Sequence, residues 1–170
     1  MTPLSGRAAF LLAVTLSSIG CKAPEPKAEL DLTDLEAYWV IDSAVGTTQY
    51  IAPAIRFHVK NKGIRPWSGI QATATFRRNG EEAQVWGSDW QPVLAAGKSL
   101  APGHEQVVVL KSDCRYFSAG APETMFQHAL FKDAKAQVFL KIGASAWTRF
   151  ADVDVERRIG SKTLQAEAKP

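Results

Sequence analysis

The residues best equipped for chemistry are three histidines and two cysteines. Hydrolysis by a triad needs a nucleophile, a base and a group that orients the base, all in one place. His58, His104 and His128 are instead dispersed along the chain, and no Gly-x-Ser-x-Gly stretch accompanies them. His58 stands between Phe57 and Val59 in an alternating run, which puts it on the polar face. His104 follows Pro102-Gly103 in a turn, and His128 lies next to an apolar stripe rather than on it. Cys114, Met125 and His128 are soft ligands of the kind copper takes. Their spacing is not that of a compact copper loop, and a metal site needs three or four ligands that converge. Lys111 and Arg115 near Cys114 are charges of a kind that lower a thiol pKa. No Cys-x-x-Cys pair and no base accompanies that thiol, so a half-buried cysteine at a strand end is expected. The expectation is therefore no catalytic residue, no metal and no cofactor.

Association is the other chemistry available. Arg56, His58 and Lys60 share one face of their strand, and Gln71, Thr73, Thr75 and Arg77 share the solvent face of the next. If those strands pair, a basic and polar strip results, suited to an acidic protein partner. Five tryptophans is a high number for this length. Most are expected in the core, where a large ring removes the most apolar surface from water. Trp67, beside Pro66 in a turn, is the one best placed for exposure and for stacking on a sugar. Trp86 and Trp90, four apart, are expected to share a strand face. Arg56, His58, Lys60, Arg77 and Trp67 are thus the candidate partner-binding residues.

The elements that must position these residues have a period of two. Tyr38–Val45, Ile55–Lys60, Ile70–Arg77, Glu82–Trp90, Glu105–Lys111, Ala134–Ile142 and Trp147–Glu156 read as seven strands. Turn signals separate them: Asn61-Lys62-Gly63, Asn79-Gly80, Ala101-Pro102-Gly103 and Gly143-Ala144-Ser145. Pro53 cannot donate to a central ladder, so the second strand should begin after it or bulge there. Pro122–Leu130 reads as a short helix, with proline in its first turn. The inward phase comprises Ile55, Phe57, Val59, Ala72, Ala74, Phe76, Val138, Leu140, Val153 and Val155. Many short strands at close spacing indicate an all-β, seven-stranded Ig-like sandwich with one short helix near residues 122–130.

The chain of 170 residues, 46% apolar and 22% charged, suits one globular domain. A net charge of +3 without a basic cluster argues against nucleic acid as a partner. The start of the chain is different in kind. Arg7 is followed by an apolar run over Ala8–Leu16 and by small residues Ser18 and Gly20, the layout of an export signal. That run is far shorter than the roughly 20 residues a membrane span needs. The expected divisions are a signal peptide at 1–20, a tether at 21–36, the sandwich at 37–158 and a patternless tail at 159–170.

Gly20-Cys21 at the end of the apolar run resembles the bacterial lipobox. The resemblance implies diacylation of Cys21, cleavage before it, and a membrane-anchored mature protein. Lys22 after it implies the periplasmic face of the outer membrane in a Gram-negative source. Ser18 and Gly20 equally suit an ordinary signal peptidase, and only a chain without the acyl group could pair Cys21 with Cys114. Phe57–Gly63 followed by Ile70–Phe76, with the Leu100-Ala101-Pro102-Gly103 turn, resembles bacterial Ig-like envelope domains of the FxLYD and CARDB type. Those domains serve mostly as binding or scaffolding modules. The resemblance implies a non-catalytic module for an envelope protein, with peptidoglycan binding through exposed tryptophan as the alternative.

Overall fold

The structure, a computed structural model, describes residues 23–160. The expected leader, Cys21 and positions 161–170 of the expected tail lie outside the described residues. A one-turn helix α1 (Pro26–Glu29) leads into β1 (Leu30–Val45), β2 (Thr48–Asn61), β3 (Ile70–Arg78), β4 (Gly87–Pro92), β5 (Glu105–Lys111) and β6 (Tyr116–Ala119). A 3-10 helix (Pro122–Gln127) then precedes β7 (Ala134–Ile142), β8 (Thr148–Asp154) and β9 (Glu156–Ile159). The first sheet has the order β5-β2-β1-β9 with β6 also on β2, and the second has β4-β3-β7-β8. This is an Ig-like sandwich: β1, β2 and β5 occupy the A, B and E places, and β3, β7 and β8 the C, F and G places.

The described residues hold nine strands where seven were expected. The two extra ones, β6 and β9, are four residues each. The single strand expected over Trp147–Glu156 is broken at buried Val155, where the chain leaves the second sheet and β9 runs parallel to β1. The segment expected as tether through Glu36 is also part of the fold, since Pro26 is buried and β1 begins at Leu30. Its alternation is concealed by a bulge. Leu30 and Leu32 keep one phase. Asp34 then takes φ 51, the register shifts between Thr33 and Glu36, and the core phase resumes at Ala37 and Trp39. One extra residue in a strand moves every later side chain to the other face.

Pro53 lies inside β2 rather than before it. Its carbonyl accepts from the Ser112 amide at 2.9 Å, so its nitrogen faces the same side, toward the loop between β5 and β6. There β2 changes neighbour, from β6 at Ile51 to β5 at Ala54. The donor that proline lacks falls in that gap in the ladder. The core matches the expected phase: Ile55, Phe57, Val59, Ala72, Ala74, Phe76, Val138, Leu140 and Val155 are buried. Val153, on edge strand β8, is half-buried and packs against them. The expected helix near 122–130 is a shorter 3-10 helix, and it links β6 of the first sheet to β7 of the second.

Candidate functional site

A strand edge is where another chain can extend a sheet. The edge of β5 is closed by side chains. Gln91 Nε2 donates to the Val109 carbonyl at 3.1 Å, and Gln106 Nε2 to the Val107 carbonyl at 3.3 Å. Asp89 Oδ2 accepts from the Lys111 amide at 2.9 Å. Asp89 and Gln91 lie on β4 of the opposite sheet, on the same face as Ala74 and Ala72 beside them. Polar residues at inward positions of an edge strand thus stitch the two sheets along one side.

The edge of β6 is different. β6 pairs with β2 from Thr48↔Ala119 to Ile51↔Tyr116, and no described strand pairs with its other side. The chain turns at Gly120, φ 124, and the 3-10 helix comes back alongside β6. Between them lies a groove of about 540 Å³ with Arg78, Tyr116, Phe117, Met125, His128 and Leu130 in its lining. Phe117 is 66% and Leu130 76% exposed, the latter because it sits in the loop after the helix. Large apolar side chains left this open beside an unpaired strand mark an interaction surface more than a packing accident.

The floor of the groove is an aromatic cluster. Tyr116 stacks with Trp86 at 5.0 Å and with Phe131 at 5.3 Å, and Phe131 lies 5.1 Å from the buried Trp39. Arg78 sits over the Trp86 ring at 5.5 Å. Ion pairs hold the frame. Asp42 accepts from Lys111 and, at 2.7 Å, from Arg115 just before β6. These bonds, Lys111 first, hold its carboxyl below the usual carboxylate range although burial opposes them. Asp133 receives both Arg157 Nε and Nη2, at 2.7 and 2.8 Å, and is likewise lowered.

The residues singled out from sequence do not come together. Arg56, His58 and Lys60 do share the outer face of the first sheet. Arg77 is on β3, in the other sheet, because β2 and β3 are connected across the sandwich rather than paired. The strip is not basic either: Asp31 faces Lys60, Glu36 faces Arg56, and His58 Nδ1 lies 3.0 Å from Glu105 and 3.9 Å from Asp34. Arg77 instead donates to Gln137 at 3.0 Å and to the Glu82 carbonyl at 2.6 Å.

Trp67 is half-buried, not exposed. Its indole N–H donates to Glu29 at 3.0 Å, and its backbone bridges to Leu100. The tryptophans that do reach solvent are Trp90 and Trp147. Trp86, which precedes β4, turns into the aromatic cluster and shares no face with Trp90. Among the described residues Cys114 has no disulfide partner, and burial followed by the Asp113 charge pushes its thiol up, against the expectation from its basic neighbours. His104 donates to the Pro102 carbonyl, and His128 accepts from the Leu130 amide. Among the described residues no three His, Cys, Asp or Glu side chains gather as a metal site would require. No described helix is long and apolar enough to cross a membrane.

No family model and no curated protein matches the chain. Solved structures resemble the chain at low TM-score. A Northeast Structural Genomics Consortium target aligns at TM-score 0.43 and 3% identity over 77% of this chain and 89% of that one. The putative ApaA protein from Bordetella pertussis aligns at 0.40 and 14% over 75% and 94%. A protein from Archaeoglobus fulgidus aligns at 0.39 and 13% over 74% and 98%. Nothing about this chain's activity follows from these likenesses.

Proposed function

We propose that this protein is an exported, lipid-anchored module of a bacterial cell envelope that binds another envelope protein and performs no catalysis. The observation that carries the reading is the open edge of β6 beside exposed Phe117 and Leu130. It offers main-chain pairing and an apolar groove to one extended segment of a partner, as β-strand addition requires. The closed edge of β5 excludes such pairing there. The anchor is Cys21, on the lipobox resemblance, and Lys22 favours the periplasmic face of the outer membrane.

Two measurements test this. Intact mass of the membrane-extracted protein should show a diacylglycerol adduct on an N-terminal Cys21; a soluble, unmodified chain sinks the anchor. A photo-crosslinker at position 117 should capture one envelope protein. Phe117→Asp with Leu130→Asp should abolish that capture from a site at position 130's neighbour Ala129 while leaving the thermal melt unchanged. Unchanged capture refutes the groove.

A second reading rests on the outer face of the second sheet. Trp90, 53% exposed, lies opposite Thr73, whose other neighbour is Phe139, with Gln71, Thr75 and Gln137 on the same face. Flat aromatics among amide and hydroxyl groups suit a glycan such as peptidoglycan. Loss of sacculus binding on Trp90→Ala, with protein capture intact, would establish that reading in place of the first.

A further inference from the structure

The end of the sandwich opposite the β6 groove is where the described chain begins, and it is built differently. The loop between β2 and β3 holds Ile64 at its tip, 96% exposed. That loop is braced. Asn61 Nδ2 donates to the Leu100 carbonyl at 2.8 Å and the Arg65 carbonyl at 2.9 Å, while its Oδ1 accepts from the Gly63 amide at 2.9 Å. The Lys62 and Gly63 amides both donate to the Glu29 carbonyl of α1. Gly63 lies so close to the Glu29 carboxylate that a Cβ there would collide with it. Ile64 is therefore held outward by a fixed frame, and nothing within the described fold covers it.

Its surroundings are cationic and aromatic. Lys62 and Arg65 flank it, and Arg65 lies over the Trp67 ring at 4.1 Å. The β7–β8 turn is tied to the same end by the Gly143 amide on the Gly69 carbonyl, and brings Trp147, 40% exposed, with Lys141 5.0 Å from its ring. Among the described residues Lys27, Lys62, Arg65 and Lys141 pair with no carboxylate, whereas Lys111, Arg115, Lys132 and Arg157 at the far end all do. Glu29 is turned onto Trp67, which leaves Glu25 and Asp31 as exposed acids nearby.

We propose that this end docks on the headgroup layer of an anionic phospholipid bilayer, with Ile64 inserted below the headgroups and the cations around it facing lipid phosphates. The proposal rests on the reading of Cys21 as the anchor. Four residues, hence five residue steps, separate Cys21 from buried Pro26, at most about 16–18 Å of extended chain. Sixteen-residue β1 spans roughly 50 Å, so an anchor that short brings α1 and the Ile64 loop to the bilayer and holds the β6 groove away from it. An apolar tip ringed by cations and amphipathic aromatics is the side-chain set that partitions into such an interface.

The test uses the full chain, purified with its anchor and reconstituted into vesicles. One variant carries Ile64→Cys and Cys114→Ser with an environment-sensitive fluorophore at position 64; a second carries the fluorophore at exposed Ala119 instead. In phosphatidylglycerol-containing vesicles the label at 64 should shift to the blue and be quenched by lipids bearing a shallow spin label. The label at 119 should show neither change. Lys62→Glu with Arg65→Glu should reduce the quenching at 64 several-fold. A Cys21 adduct confirmed by mass together with a water-exposed label at 64 overturns the docking and leaves the anchor standing. An unmodified Cys21 overturns the anchor and this orientation with it. Equal quenching in purely zwitterionic vesicles overturns the assignment to anionic lipid.

Discussion

The indole N–H of Trp67 donates to the Glu29 carboxylate at 3.0 Å, joining the loop before β3 to the helix that opens the fold. The bond is partly shielded and charge-assisted. Trp67→Phe keeps an aromatic side chain, though a smaller one, and removes the donor, and should cost about 1–2 kcal/mol in denaturant melts. Glu29→Gln, which keeps an acceptor, should cost less. Equal losses in the two variants would show that the charge at Glu29 matters more than the bond.

Phe76 is fully buried, and its neighbour Arg77 points to the opposite face of β3. Phe76→Ala should destabilise by about 3–5 kcal/mol through lost contacts and the cavity left behind. Arg77→Ala loses two hydrogen bonds at a partly solvated site and should cost about 1 kcal/mol. The reverse order would mean that the strand phase is wrong.

Asp89 and Gln91 cap the edge of β5 from across the sandwich. Replacing both with alanine uncovers the Lys111 amide and the Val109 carbonyl, and an exposed strand edge invites pairing between copies. Light scattering should show concentration-dependent association that the wild type lacks. A variant that stays monomeric at every concentration would mean that these bonds serve stability alone.

Asp42 and Asp133 both have carboxyl groups lowered by their basic partners. Such a group stabilises the fold fully above its unfolded pKa, near 3.9, and the contribution is lost as pH falls through the lower folded value. Stability should therefore fall below about pH 4. Asp42→Asn should lower stability at neutral pH and flatten that acid limb. An unchanged limb would place the acid sensitivity elsewhere.

Cys114 is half-buried and its thiol is raised, first by burial and then by Asp113. Alkylation at pH 8 should be slower than for a free thiol and should accelerate on unfolding. Asp113→Asn should speed it in the folded protein by removing the adjacent charge. Rapid alkylation of the native wild type would contradict the burial.

Much of the sandwich is legible in the residues because period-two alternation survives in β3, in β7 and in β2 from Ile55 to Lys60, whose inward side chains are apolar and whose outward ones, Phe139 apart, are polar. The alternation fails where local geometry interrupts it. In β1 the bulge at Asp34 breaks the count, so Leu30 and Leu32 look unrelated to Ala37 and Trp39. In β6 and β9 four residues are too few to show any period. Pro53 argues against the strand that contains it, because only the switch of neighbours along β2 makes its missing donor harmless.

The chain by itself determined the all-β class, the inward phase of β3, of β7 and of β2 from Ile55 on, the turn before β5 and the dispersal of the three histidines, since each depends on residues near one another in sequence. Tertiary structure decided everything that depends on which strands become neighbours. It sent Arg77 to the sheet opposite Arg56, His58 and Lys60, and set Asp31, Glu36 and Glu105 among those cations. It closed one edge with Asp89 and Gln91, left β6 open beside Phe117 and Leu130, and turned Trp67 inward onto Glu29. Pairing across a sandwich joins residues tens of positions apart, and alternation specifies which face a side chain takes, not which strand lies beside it.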